Sequence, residues 1–92
     1  MDKETVEARL LGILDTLGAI EHERWSYWQR YMHSRATLQN DGSMLLPAHL
    51  VEQWERQIAT PYNALSEQEK ESDREQVRRY LPTIIEALSN HG

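Results

Sequence analysis

The sequence predicts an all-α fold: a small helical domain in which a long N-terminal helix packs on a C-terminal helix, kinked near Pro82, with a shorter middle helix. Three observations predict it. Apolar residues recur at helical spacing in three separate stretches. The clearest of those stripes, Val77 to Leu88, follows a capping-box spacing at Ser66 and Glu69. The stretches are separated by an Asn-Asp-Gly turn and by prolines, which are local breakers. At 92 residues the whole chain, 1–92, reads as one domain.

The first helix is expected from Asp2 to about His33. Val6, Leu10, Ile13, Leu14, Leu17 and Ile20 form its stripe, and Trp25, Trp28 and Met32 continue it. Asp2 suits the N-cap, and Glu4 suits the positive end of the helix dipole. Gly12 and Gly18 each weaken the helix by about 1 kcal/mol relative to Ala. The absence of proline from Ala19 to Met32 favours continuity through both. Tyr27 and Tyr31 form a second row, four residues apart. The plain reading of these aromatics is helix–helix packing, since the chain has no Phe and must build its core from Leu, Ile, Trp and Tyr.

Residues 34–46 read as the least regular part. Gln39 to Ser43 is a turn sequence in which Gly42 can take positive φ. Met44, Leu45 and Leu46 are a short apolar run expected to pack under that loop. Pro47 opens the middle helix, Ala48 to Ala59, with Leu50, Val51, Trp54 and Ile58 on one face. Thr60-Pro61 ends it, because a residue before proline avoids the helical region. Tyr62 and Leu65 anchor an aromatic turn. Ser66 and Glu69 then start the last helix, and Glu67, Glu69 and Glu71 suit its dipole. Val77, Tyr80, Leu81, Ile84, Ile85 and Leu88 make its apolar face. Pro82 removes one helical hydrogen bond and is expected to kink or split the helix near Arg78 to Tyr80. Residues 89–92 read as a frayed end.

Composition narrows the function. A net charge of −5 argues against a phosphate-backbone binder, so nucleic acid is not an expected partner. The chain has no Cys, which removes disulfide and thiolate chemistry. The polar start Met1-Asp2-Lys3-Glu4 is not a signal peptide, and no apolar run approaches the roughly 20 residues needed to span a bilayer. A cytoplasmic protein is expected. His22, His33, His49 and His91 lack metal-ligand spacing, and there is no phosphate loop or nucleophile elbow. No cofactor, metal or catalytic residue is expected. An enzyme using His22 and Glu23 as acid and base is the reading placed last, because it lacks a third group.

Lys70, Asp73 and Arg74 carry more information. They lie at i, i+3 and i+4 and extend the stripe of Val77, Leu81, Ile84 and Leu88 backwards. Asp73 can bridge both cations on the helix surface. The bland reading is a solvated pair at the end of the stripe. The sharper one is a cationic cluster facing His22, Glu23 and Trp25, able to hold a stacked anionic ligand.

His22-Glu23-Arg24-Trp25 resembles the His-Glu-x-Trp element that opens a ryanodine-receptor repeat (RyR domain). Pro61 through Arg74 resembles the second element of that domain, an aromatic turn followed by Leu-Ser/Pro-Glu-x-x-Lys-x-x-(Asp)-Arg. Val77 to Leu88 is similar to its closing apolar helix. The likeness covers 22–25 and 61–88. The region 34–60 departs from the family, with an extra helix and without the Gly-Trp/Tyr-Gly and His-Pro motifs. The resemblance implies a small, mostly helical stand-alone module of bacterial or phage type, acting in the cytoplasm of a bacterium or phage-infected host. It implies a non-enzymatic binding role for a small anionic, nucleotide-like ligand. His22, Trp25, Lys70, Asp73 and Arg74 come across as the candidate ligand-binding residues. The alternative is a protein-interaction or structural module acting as a homo-oligomer. Its motive is the row Tyr27, Trp28 and Tyr31 with Trp54, more aromatic surface than a three-helix core needs.

Overall fold

A computed structural model describes residues 1–89. It is all-α apart from one minimal hairpin. The elements are α1 (Lys3–Leu11), α2 (Leu14–Arg35), β1 (Thr37–Leu38), β2 (Met44–Leu45), α3 (Ala48–Ala59), a 3-10 turn (Tyr62–Ala64) and α4 (Glu67–Ser89). The chain divides into two compact units. The first joins Met1–Arg24 to the chain from Ser72 onward, and the second is Trp25–Glu71.

In the first unit, Asp2 caps α1 as its sequence suggests. Its Oδ1 accepts the Thr5 N–H at 2.7 Å, and the Asp2 carboxyl titrates below its usual range for that reason. The expected continuous helix is interrupted at Gly12 and Ile13, not at Gly18. Gly12 N still donates to Ala8 O, but Ile13 N turns to Leu10 O, a tighter i→i+3 bond, before Leu17 N resumes the α pattern on Ile13 O. Gly12 itself stays in the right-handed helical region at φ −67 and ψ −18, and Gly18 lies inside α2. Pro82 sits inside α4 and does not split it. Within this unit Arg9 Nη1 donates to Leu88 O at 3.1 Å, and Tyr80 meets Glu21. Along α1 and α2 residue numbers rise as those on α4 fall, so the pair runs antiparallel.

The second unit holds the hairpin. Thr37 pairs with Leu45 and Leu38 with Met44. The turn is set by Gly42 at φ 92 and by Asp41, whose Oδ1 accepts the Ser43 N–H at 2.9 Å and the Ser43 hydroxyl at 2.6 Å. Met44, Leu45 and Leu46 do not pack under the loop; Met44 and Leu45 pair with β1, and all three are exposed. α3 keeps its expected ends. Thr60 N donates to Gln57 O and the extended Thr60 leads into Pro61. Leu50 is 5% exposed and is the one buried hydrophobic residue among those described. Trp54 is half-buried, but Ile58, assigned to the same face, is 77% exposed. The frayed end expected at 89–92 falls, beyond Ser89, outside the described residues.

Candidate functional site

α3 hands over to α4 through the 3-10 turn. Ala64 N donates to Pro61 O and Leu65 N to Tyr62 O, which brings Ser66 to the start of α4. The capping box forms as written in the sequence. Glu69 N donates to Ser66 Oγ at 3.2 Å, and Glu69 Oε1 accepts the Ser66 N–H at 3.1 Å. Glu69 does more than a box requires. Its Oε2 accepts Gln57 Nε2 at 2.6 Å and Arg56 Nη2 at 3.1 Å, both from the last turn of α3. The Ser66 backbone N–H, then Gln57, the Ser66 hydroxyl and Arg56, hold this carboxyl at about 2, against an ordinary 4.5.

Lys70 follows directly. Its side chain is mostly covered, with Nζ 5.9 Å above the Tyr62 ring and 3.8 Å from Glu67 Oε1. The carboxylate beside Lys70 is thus Glu67, one turn earlier, and Asp73 stands exposed. Arg74 is half-buried and His22 exposed. Trp25 and Lys70 belong to the second unit; His22, Asp73 and Arg74 belong to the first. The five candidates are therefore placed one by one: Lys70 in a cation–π and ion-pair setting, Arg74 partly covered, and Trp25, His22 and Asp73 at the surface.

The aromatics of α2 are the larger departure from expectation. Trp25, Tyr27, Trp28 and Tyr31 are between 40% and 67% exposed, so they do not form a helix–helix core. The inward residues on this part of α2 are Ser26, Gln29 and Met32. Trp28 stacks on Tyr31 with ring centroids 5.6 Å apart and meets Trp54 edge-on at 5.4 Å. The result is a three-ring aromatic surface across α2 and α3, partly open to water. From Trp25 to Asn40 this segment also carries Arg30 and Arg35 and no carboxylate, in a chain of net charge −5.

The first unit contains a polar clasp that sequence reasoning missed. Glu21 accepts from Arg24 through both carboxylate oxygens, Arg24 Nε lying 3.1 Å from Oε2, and from the Tyr80 hydroxyl. Arg24 and then Tyr80 hold the Glu21 carboxyl at about 2. The same bonds raise the Arg24 and Tyr80 pKa values, because each proton is held by a carboxylate. One signal was available: a phenol within an apolar stripe needs a hydrogen-bond partner. Nothing local names Glu21 as that partner, 59 residues away. A shallow hollow of about 330 Å³ in this unit is lined by Ile13, Thr16, Thr83, Glu86 and Ala87, none of them a candidate residue.

Among the described residues no group of three or more metal-ligating side chains is placed to hold an ion, and no helix is long and apolar enough to cross a membrane. Comparison with protein-family models, curated proteins and solved structures finds no match to this chain.

Proposed function

We propose that the chain is a non-enzymatic interaction module that docks a protein partner on the aromatic surface of its second unit. The exposure of Trp28 and Tyr31, stacked on each other and braced by Trp54, carries this reading. Rigid, half-wet aromatics contribute large contact area at small entropic cost, and such side chains dominate binding energy where they occur. The test places a photoreactive phenylalanine analogue at Tyr27, beside the surface, in cells that make the protein. One discrete crosslinked protein is expected, and it should disappear when Trp28 and Tyr31 are also replaced by Ala. A product unchanged by Trp28→Ala and Tyr31→Ala, or no product at all, sinks the reading.

A second reading has its own support. Lys70 is covered, stacked over Tyr62, and paired with a Glu67 side chain that is 79% exposed and easily displaced. That setting suits a small anionic, nucleotide-like ligand taking the place of Glu67, in keeping with the RyR-domain resemblance of this stretch. Thermal shift with nucleotides, cyclic nucleotides and inorganic phosphate tests it. Ligand at 100-fold over Kd stabilises by about 2.7 kcal/mol. A shift that Lys70→Ala abolishes supports the reading, and a flat response across millimolar ligands ends it.

A further inference from the structure

The Lys and Arg side chains of the second unit are Arg30, Arg35, Arg56 and Lys70. Arg56 and Lys70 are paired with Glu69 and Glu67. Arg30 and Arg35 are exposed and make no hydrogen bond or ion pair with any described residue. Each residue advances about 100° around a helix. Trp28, Tyr31 and Arg35, at i, i+3 and i+7, therefore share one row of α2, and Tyr27 and Arg30 form the row beside it. An exposed tyrosine thus stands one turn before each of these arginines. Neither cation has a carboxylate at pairing distance along the helix. There is none from Trp25 to Asn40, and Glu23 lies seven residues before Arg30, beyond the reach of i±4 neighbours. Asp41 is turned onto its own loop, where its Oδ1 accepts the Ser43 N–H and hydroxyl. On α3, Glu55 and Glu52 stand about 100° and about 160° round the helix from Trp54, off the edge that meets Trp28.

We propose that the partner docked on this surface is an acidic protein segment, whose carboxylates pair with Arg30 and Arg35 while an apolar side chain between them packs on Trp28 and Tyr31. The proposal rests on the aromatic surface being a docking site and adds what docks there. Charge complementarity selects the partner. Covering the rings brings a docked chain over the two guanidinium groups. A neutral partner would strip water from them and return nothing, whereas a carboxylate offers each planar fork two parallel acceptors. The arginines are already unpaired, so binding breaks no bond of the fold. Size selects a short segment over an extended polyanion. Tyr27 to Arg35 rises about 12 Å along α2, a span that about four extended residues cover. Charge is felt over about 8 Å at physiological salt, so a short acidic segment meets only this basic patch. A nucleic-acid strand or an anionic membrane reaches beyond it and meets the remainder of a chain whose net charge is −5. Phosphate-backbone binding also draws on more cations than two.

The photoreactive analogue at Tyr27 tests it, with the crosslinked product digested and the attached partner segment sequenced by mass spectrometry. That segment should carry more than one carboxylate within about four residues of the crosslink, the length that spans the surface. Arg30→Gln and Arg35→Gln together should lower the yield by about tenfold or more, since each removes a charge-assisted bond. Circular dichroism should be unchanged, because neither arginine bonds within the fold. A product that still needs Trp28 and Tyr31 but maps to a segment without carboxylates overturns the acidic partner and leaves the docking surface standing. So does one whose yield survives the double Gln variant. No product at all removes both. The purified chain with phosphatidylserine vesicles, or with single-stranded oligo(dT), should show no change in tryptophan fluorescence. A change that the double Gln variant abolishes would assign this face to a lipid surface or a nucleic acid and overturn the proposal.

Discussion

Glu21 and Glu69 do similar work in the two units by different routes. Each is a carboxylate gathered by several donors and held at about 2. Glu69 begins as a local capping box with Ser66 and then recruits Gln57 and Arg56 from α3, twelve and thirteen residues back. Glu21 takes Arg24 from its own helix and Tyr80 from 59 residues away. The Glu69 group starts from bonds that the chain can form before it folds, and the Tyr80 bond exists only once α4 has returned to α2. The two units also bury apolar area differently. The second has the buried Leu50 on α3, and the first has half-covered residues along a helix pair.

The largest expected effect separates the units directly. Leu50→Ala should destabilise by about 2–5 kcal/mol in urea unfolding, the range for a buried Leu truncated to Ala. Ile84→Ala, at a half-buried site in the first unit, should cost clearly less. Equal losses would break the distinction.

Acid sensitivity comes next. Both carboxyls have folded pKa values below their ordinary 4.5, so an unfolded chain protonates first as pH falls. Their stabilisation is present above 4.5 and is lost as pH drops from 4.5 towards about 2. Urea midpoints measured down that range should fall steeply in the wild type. Glu69→Gln and Glu21→Gln should each be less stable at neutral pH and show a flatter acid limb. Tyr80→Phe should flatten only the part that belongs to Glu21. If Tyr80→Phe leaves the acid limb unchanged, the long-range bond contributes nothing and the comparison fails on that side.

The smallest effect is that of the cap itself. Ser66→Ala removes the acceptor of the Glu69 N–H and should cost about 1 kcal/mol. Thermal melts of Ser66→Ala and Glu69→Gln, singly and together, sharpen the point. Losses well short of additive show that the box acts as one unit.

Local features of the fold were legible because local chemistry sets them. Asp2, Pro47, Thr60-Pro61 and the Ser66/Glu69 box mark helix ends by bonds within four residues. Gly42 marks its turn by the positive φ it alone tolerates easily. The break at Gly12 and Ile13 was not foreseen, because the helical spacing of apolar residues runs through it unchanged. The hairpin strands were missed because two-residue strands have no period to detect.

The candidate site was legible only in part. Lys70 lies on the covered side of α4, and the carboxylate beside it is Glu67, one turn earlier, whereas the spacing pointed to Asp73. Val77, Leu81 and Ile85 were read as core and form an outer row, because a stripe spanning more than 100° of a helix leaves one edge uncovered when a single neighbour packs against it.

The sequence by itself determined the class of fold, the start of α1, the ends of α3 and the capping box, since helical period, proline and caps act within a turn or two of chain. Tertiary structure alone decided which side of each stripe is covered, that Tyr80 meets Glu21, and that Trp28 and Tyr31 stay open to water beside Trp54. Burial depends on what else arrives at a surface, and a sequence period states only that a surface is apolar.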